Sequence, residues 1–179
     1  MSEDEIRRVW EGQPMLKPRI EKVVVNMSIG KSGEPLEKAA RVMKEITGHT
    51  PCKRKAKTSI RDFGIRKGES IACIVTLREE EAIDFLKKVL TVVDNKISGR
   101  SFDKQGNFSF GLKEHIELPG VKYDPDVGIF GMDICVSVTR PGYRVKTRRK
   151  QRTKIGADHV LKQDESIIFI KDTLGVEIV

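Results

Sequence analysis

The tripeptide Gly30-Lys31-Ser32 lies between a predicted strand and a predicted helix, which is where a phosphate-binding P-loop occurs. That motif also needs a glycine five residues before Gly30, but Val25 stands there. The following helix is predicted to begin near Pro35, so its N-terminal amides would not face the Lys-Ser pair. Both observations argue against a P-loop. A nucleotide-binding enzyme is kept only as an alternative function, and Lys31 is interpreted as a surface cation.

The three cysteines are too widely spaced to indicate a metal centre or a disulfide framework. His49 and Cys52 form one isolated pair, whereas structural zinc needs four ligands in paired clusters. Cys73 and Cys135 fall inside two separate predicted strands. An odd number of unclustered cysteines is typical of free thiols in a reducing compartment, so the sequence predicts a cytoplasmic protein without metal or cofactor.

The remaining groups with possible chemistry have no informative spacing. Asp124-Pro125-Asp126 could hold a cation, but the same tripeptide is an ordinary turn sequence. His115 and His159 stand apart from any serine, cysteine or aspartate at a catalytic spacing, and they are interpreted as structural or RNA-facing residues. No catalytic residue is predicted.

Cationic side chains are concentrated in two stretches. Residues 140–154 contain eight Lys or Arg and no Asp or Glu, although the whole chain of 179 residues carries a net charge of only +8. Residues 51–67 contain seven Lys or Arg and one acidic residue, Asp62. The rest of the chain is therefore net acidic. Two basic patches on a mildly acidic body predict binding to a polyanion, although one such stretch alone could be a solvated tail.

The elements that carry these patches predict an α+β fold of one domain, residues 1–179, with projecting loops at about 53–70 and 140–156. The apolar run 71–77 is short and β-branched, and it is predicted to be the central strand. Further strands are predicted at 20–29, 107–112 and 132–138, with a hairpin turn at 104–106. Helices are predicted at 3–10, from Pro35 to about Gly48, from Glu79 to Val93, and at 163–173.

Three of the strands pair an apolar face with a face of small or polar residues. The polar faces carry Asn26 and Ser28, then Asn107, Ser109 and Gly111, then Cys135 and Ser137. We therefore predict an antiparallel sheet with helices packed on one face and the other face open for RNA. No apolar run approaches the ~20 residues that span a bilayer, and no signal peptide is recognisable, so no membrane partner is expected.

A series of motifs resembles, in order, those of the large-ribosomal-subunit protein five family, and the resemblance covers nearly the whole chain. The basic form of residues 140–156 resembles the archaeal and eukaryotic branch. The motifs are Asn26-Met27, Ala56-Lys57-Thr58-Ser59-Ile60, Phe63-Gly64-Ile65-Arg66-Lys67-Gly68, Val75-Thr76-Leu77-Arg78, Gly106-Asn107-Phe108-Ser109-Phe110-Gly111, Glu114-His115-Ile116, Gly128-Ile129-Phe130-Gly131-Met132-Asp133 and Arg140-Pro141-Gly142-Tyr143-Arg144.

The resemblance implies a non-catalytic ribonucleoprotein component that binds 5S rRNA and attaches it to the central protuberance of the large subunit. Its implied partners are 5S rRNA, 23S-type large-subunit rRNA and neighbouring central-protuberance proteins. The implied rRNA-binding residues are Asn26, Met27, Ser28, Lys53, Arg54, Lys55, Lys57, Thr76, Arg78, Asn107, Ser109, Arg140, Arg144, Lys146, Arg148, Arg149 and Lys150.

Two further contacts follow from the resemblance. Residues 61–70 resemble the loop that reaches the elbow of P-site tRNA, and residues 121–131 resemble the loop that forms an intersubunit bridge with the small-subunit head protein thirteen. The implied tRNA-contacting residues are Arg61, Phe63, Gly64, Arg66 and Lys67, and the implied bridge residues are Tyr123, Asp124, Asp126 and Gly128.

This chain departs from the family pattern at three positions. Glycine is expected where Ser28 and Glu79 stand, and an acidic residue is expected where Lys31 stands. A general nucleic-acid chaperone without a fixed rRNA site is the closest competing function. We also expect residues 140–154 to be poorly ordered without RNA, because so dense a run of like charge repels itself.

Overall fold

The computed structural model describes residues 3–121, 125–126 and 128–179. Five of its strands form one antiparallel sheet in the order β2-β3-β1-β6-β5, and two short strands, β4 and β7, pair in parallel. This mixture of helices with an antiparallel sheet confirms the predicted α+β class. The strands are β1 (Arg19–Ser28), β2 (Cys52–Lys55), β3 (Ser70–Leu77), β4 (Lys96–Ile97), β5 (Phe108–Leu112), β6 (Met132–Thr139) and β7 (Glu177–Ile178).

The central strand is β1 and not β3, which corrects the sequence-based prediction. β1 pairs with β3 on one side and with β6 on the other. β3 is interior but alternates: Cys73, Val75 and Leu77 are buried, whereas Thr76 is exposed. A short apolar run looks the same in sequence whether it is central or next to an edge, because strand order is set by long-range pairing.

The apolar core lies between one face of the sheet and the helices, where α2 packs against β3 and α3 packs against β1. The largest fully buried side chains include Met27 and Val25 of β1, Ile134 of β6 and Leu86 of α3. Among the described residues, no helix is both long and apolar enough to span a membrane. The helices are α1 (Glu3–Gly12), α2 (Glu34–Thr47), α3 (Glu79–Val92), α4 (Arg144–Thr147) and α5 (Gln163–Leu174).

The helix boundaries follow from local sequence signals. Pro35 lies in the first turn of α2, where its missing N–H is not needed, and Gly48 ends that helix in the left-handed conformation with φ of 73°. The buried faces of these helices are continuous with the core. Val42 is buried in α2, and Ile168 and Phe169 are buried in α5, where Ile167 is half-buried.

The predicted hairpin before β5 is only partly formed. Its first arm is a single 3₁₀ turn at Gly99–Ser101 followed by one bridge between Phe102 and Phe108. The turn itself is well bonded, because the Asp103 carboxylate accepts hydrogen bonds from the amides of Gln105 and Asn107 at 2.9 and 2.8 Å. The turn is therefore held by its own side chain and not by a second strand.

Candidate nucleic-acid interface

The second face of the sheet carries no helix and is lined by small and polar side chains. One row across the strands consists of Gly111, Asp133, Asn26, Ile74 and Cys52, in the order β5, β6, β1, β3, β2. The next row consists of Ser109, Cys135, Val24 and Thr76. We call this surface the open face, and it encloses a shallow depression of about 490 Å³. The absence of a covering helix among the described residues agrees with the predicted open sheet face, and binding of RNA there stays a prediction.

Hydrogen-bonding groups at the centre of the open face are organised around Asn26. Its Nδ2 donates to Ser28 Oγ at 3.0 Å and to Asp133 Oδ2 at 3.4 Å. Asp133 is exposed and was not among the predicted site residues, although the alternation of β6 placed it on this face. Carboxylate and amide oxygens accept hydrogen bonds from hydroxyl groups. This cluster is therefore suited to sugar hydroxyls more than to phosphates.

Cys135 also lies on the open face, and partial burial raises the pKa of its thiol, with the nearby Asp133 carboxylate adding to the rise. Cys52 is exposed at the other end of the sheet, and Cys73 is buried in the core. A raised pKa leaves little thiolate at neutral pH, so Cys135 is not an activated nucleophile. The three cysteines are free thiols, as the sequence indicated.

Three of the four cations in the predicted cluster at residues 53–57 lie in edge strand β2, which the sequence did not reveal, and Lys57 lies beyond its end. Arg54 is paired in register with Ala72, which lies on the same face of β3 as the open-face residue Ile74. Lys53 is paired with the core residue Cys73. Lys53 accordingly forms an ion pair with Glu37 of α2, on the helical side of the sheet. Alternation along β2 therefore divides the cluster, and Arg54 faces the same side as Asn26.

The connection from β2 to β3 continues as a projecting hairpin, residues 56–69. Ile60 and Ile65 exchange both backbone hydrogen bonds, at 2.9 and 3.1 Å. The chain reverses at Gly64, which has φ of 66°, and Phe63 at this tip is 72% exposed. The predicted tRNA-contacting residues are thus on a bonded hairpin, with an unburied aromatic ring at its end.

Glu69 fixes the base of the projecting hairpin. Its carboxylate accepts hydrogen bonds from Ser32 Oγ and from the amide of Arg66, and the Ser32 bond, followed by the Arg66 amide, lowers the pKa of Glu69. The hydroxyl of the Gly-Lys-Ser tripeptide is therefore directed at a carboxylate. α2 begins only at Glu34 and carries two glutamates in its first turn. A helix whose first turn carries two carboxylates does not suit phosphate, which argues against a P-loop here.

The basic segment, residues 140–154, contains the short helix α4 and is fastened to residues 159–161 near its N-terminal end. Tyr143 Oη accepts a hydrogen bond from the amide of Leu161 at 2.9 Å, and His159 Nε2 lies 2.8 Å from the carbonyl oxygen of Pro141. Cations on this segment project outward: Arg144, Lys146, Arg149 and Lys150 are exposed and have no ion-pair partner among the described residues. That the segment is poorly ordered without RNA stays a prediction.

A cleft of about 440 Å³ joins the basic segment to the strands β1 and β6. Arg19 and Lys22 of β1 line one side, and Arg144 and Lys146 line the other, with Ser137 between them. Arg19 and Lys22 were not predicted as site residues, because isolated cations in a strand do not raise the local charge density. Alternation along β1 is the signal that could have identified Lys22, since it shares the face of Asn26.

Three predicted rRNA-binding side chains are used inside the protein. Met27 is fully buried in the core, because it alternates with Asn26 and Ser28. Arg140 is only 4% exposed, forms an ion pair with Glu165 and donates to the carbonyl of Asp158 at 3.3 Å. We therefore leave the side chains of Met27 and Arg140 out of the proposed RNA-contacting surface.

Asn107 is the third of these residues. Its Nδ2 donates to Asp103 Oδ2 at 2.8 Å, and its Oδ1 accepts from the amide of Val138 at 3.1 Å. Both ends of the amide are thus occupied in fastening the turn before β5 to β6. Asn107 still borders the basic cleft, but its role in the described structure is to hold the cleft in shape.

The predicted bridge loop is described only in part. Tyr123 and Asp124 lie outside the described residues, whereas Asp126 is exposed and Gly128 has φ of 84°. His115 holds the end of the loop, because its Nδ1 accepts a hydrogen bond from the amide of Phe130 at 3.2 Å and its ring is 2% exposed. His115 and His159 are therefore both structural residues in the described chain.

No set of three or more His, Cys, Asp or Glu side chains in the described ranges is arranged to hold a metal ion. His49 pairs with Glu81 at 2.9 Å and is not brought to any cysteine ligand set. The Asp124-Pro125-Asp126 tripeptide is only partly within the described residues. What the described geometry offers is a binding surface made of short polar side chains and unpaired cations.

Comparison with known proteins identifies the family. Residues 13–66 match the model of Ribosomal protein L5, and residues 70–168 match the model of the C-terminus of the same ribosomal family. Together these two models span the open face, most of the projecting hairpin and the whole of the basic segment.

Curated relatives agree over nearly the full chain. The large ribosomal subunit protein uL5 of Pyrobaculum aerophilum is 54% identical over 168 residues, which is 94% of this chain and 94% of that protein. The uL5 protein of Aeropyrum pernix is 51% identical over 98% of this chain and 92% of its own, and that of Methanococcus vannielii is 48% identical over 97% of each. The chain is therefore a member of the ribosomal protein L5 family, whose members are structural proteins of the large ribosomal subunit.

Proposed function

We propose that this protein binds 5S rRNA through its open face and its unpaired cations, and so attaches 5S rRNA to the central protuberance of the large subunit. The observation that carries the proposal is the combination of a helix-free sheet face with cationic groups at two of its borders. Arg54 lies at the β2 border, and Arg144 and Lys146 lie at the cleft beside β6. Contact with 23S-type large-subunit rRNA would use the same cations.

The division of labour within this surface follows from its chemistry. Arg54, Arg144 and Lys146 neutralise phosphates and supply a salt-dependent part of the affinity. The cluster of Asn26, Ser28 and Asp133 presents oxygens to 2′-hydroxyl groups, which distinguish RNA from DNA. Asp133 would repel a phosphate at this place, so the centre of the face is proposed to meet sugars and the border to meet phosphates.

The projecting hairpin is proposed to contact P-site tRNA. The hairpin presents Phe63, which is exposed and free to stack, at its tip, and it carries the exposed cations Arg61, Arg66 and Lys67 along its length. The hairpin extends beyond the β2–β3 end of the sheet, so its tip is separate in sequence and in hydrogen bonding from the open face. A second proposed contact, the intersubunit bridge to the small-subunit head protein thirteen, uses residues 121–131.

A binding titration tests the proposed function. The purified protein is titrated with 5S rRNA, an unrelated structured RNA and duplex DNA at about 50 and about 200 mM salt. We expect 5S rRNA to bind most tightly at both salt concentrations, because hydroxyl contacts and shape do not depend on counterion release. Convergence of all three affinities at the higher salt would instead support a general nucleic-acid chaperone.

A further inference from the structure

A groove of about 500 Å³ lies beneath the basic segment, and neither the sheet-face proposal nor the family comparison accounts for it. Tyr143, Ile155 and Val160 form its half-buried walls, and the exposed cations Lys146, Arg152 and Lys154 surround it. Gln105 and Thr153 complete the lining. The lining residues include no carboxylate, so the groove combines an apolar interior with a purely cationic rim.

The walls of the groove are fixed by contacts with the protein body. Tyr143 Oη accepts from the amide of Leu161 and lies 3.4 Å from the carbonyl of His159, which sets the position of the ring. The amide of Thr153 donates to the carbonyl of Val145 at 3.3 Å and joins the two arms of the basic segment. The groove is thus bounded by bonded backbone and is not a gap beside a loose tail.

We propose that this groove receives the base of a single unpaired rRNA nucleotide, with its flanking phosphates on Lys146, Arg152 and Lys154. The volume is within the roughly 300–1,000 Å³ of sites for small organic ligands. Unstacked bases in RNA are recognised by insertion against aromatic and apolar side chains. A paired base cannot enter such a groove, because its edges and faces are already occupied in the duplex.

Continuity with the neighbouring cleft favours RNA over another anion. Gln105, Tyr143 and Lys146 line both the groove and the basic cleft that opens beside β1 and β6. A strand lying along the cleft therefore reaches the groove without leaving the protein surface. The inference rests on the proposed function and adds a site of base recognition to a surface that otherwise meets only sugars and phosphates.

Removing apolar surface from the groove while keeping its charge tests the inference. Ile155→Ser is compared with wild type and with Val9→Ser, which removes an exposed apolar side chain of α1 outside the groove and outside every proposed contact surface. Affinity for 5S rRNA and for large-subunit rRNA is measured at several salt concentrations. We expect Ile155→Ser to bind at least one of these RNAs roughly five- to tenfold more weakly with an unchanged salt slope, because no phosphate contact is lost.

The same experiment includes a direct readout and a charge control. Ultraviolet crosslinking of the wild-type complex should join the peptide containing Tyr143 or Ile155 to one nucleotide, and that nucleotide should be unpaired in the RNA. Lys150→Gln, which lies in the basic segment but not in the groove lining, should instead reduce the salt slope by about one. If Ile155→Ser does not fold, Val160→Ala takes its place.

The outcomes separate the two proposals. If wild-type protein binds neither RNA, the proposed function fails and this inference fails with it. If wild-type protein binds but both groove variants stay within about twofold of it for both RNAs, the inference alone is overturned, and an acidic peptide becomes the better candidate ligand. A fall in salt slope for Ile155→Ser would also overturn the inference, since it would mean that the groove acts only through phosphate contacts.

Discussion

Ser166 of α5 donates a hydrogen bond of 2.6 Å from its Oγ to the carbonyl oxygen of Gly106, and both residues are buried. This contact joins the last helix to the turn that leads into β5, an edge strand of the sheet. Gly106 has φ of 77°, and a Cβ at this position would lie 2.6 Å from Ser166 Cβ. The close approach of the turn and α5 therefore depends on a residue without a side chain.

Gly106→Ala should lower the free energy of unfolding by about 2–4 kcal/mol, because the new methyl group adds a steric clash to an unfavourable backbone conformation. Gly30→Ala is the matched control: Gly30 has φ of 74° with nothing within 4 Å of the added Cβ, so only the conformational cost of about 1 kcal/mol should appear. Urea denaturation measures both. Equal losses for the two variants would mean that the turn moves away from α5 at little cost.

Arg140→Ala should destabilise the protein by about 3 kcal/mol, because it removes a buried guanidinium and leaves the half-buried carboxylate of Glu165 without its cationic partner. Arg149→Ala, in the exposed part of the same segment, should leave stability nearly unchanged while reducing the salt slope of RNA binding by about one. Thermal unfolding and salt-dependent titration distinguish the two effects. A normal melting temperature for Arg140→Ala would contradict its structural assignment.

Replacing Arg66 and Lys67 together by alanine should loosen P-site tRNA on reconstituted large subunits and leave 5S rRNA binding nearly intact. The reason is that both residues are on the projecting hairpin, beyond the strands of the open face. Arg41→Ala with Lys44→Ala removes the same charge from the exposed side of α2 and serves as the control. Equal weakening of tRNA and 5S rRNA binding would rule out separate contact surfaces.

Glu69→Gln should loosen the base of the projecting hairpin, and acid should have the same effect on wild type. The pKa of Glu69 is lowered in the folded protein, chiefly by the hydrogen bond from Ser32, so its contribution to stability is present above the ordinary glutamate pKa. That contribution is lost as the pH falls through the lower folded-state pKa.

Hydrogen exchange at the Arg66 amide, followed as the pH is lowered, measures this effect, because that amide donates to Glu69 at 3.0 Å. In the Gln variant the Arg66 amide should exchange faster at neutral pH. Its exchange should also lack the pH dependence that protonation of Glu69 causes in wild type. Identical exchange in wild type and variant at every pH would show that the carboxylate does not hold the hairpin.

Glu79→Gly should raise the free energy of unfolding by about 1 kcal/mol. Glu79 is the first residue of α3 and has φ of 54°, a left-handed conformation in which a residue with a Cβ is unfavourable. Glycine is the residue that the family pattern leads one to expect here. Glu80→Gly removes the same charge one residue later and should instead lower stability by about 1 kcal/mol, because glycine is unfavourable within a helix. Chemical denaturation of both variants measures whether each substitution raises or lowers the free energy of unfolding.

The sequence alone identified the main helices, three strands of the sheet and the family. Period-two alternation identified β1, β5 and β6 and separated Asn26 and Ser28 from the core, because strand side chains point to alternate faces whatever their neighbours are. Apolar spacing identified α2, α3 and α5 in the same way. The density of cations at residues 140–154 predicted a polyanion-binding segment, since charge can be counted without coordinates.

Only the tertiary structure decided which of these residues are available to a ligand. Pairing with β3 turned Lys53 toward Glu37 and left Arg54 on the open face, and burial against α5 took Arg140 away from the basic segment that contains it. Strand order made β1 central, and the packing of Gly106 against Ser166 set the position of α5. These contacts join residues far apart in the chain, so the periodicity of a short segment carries no information about them.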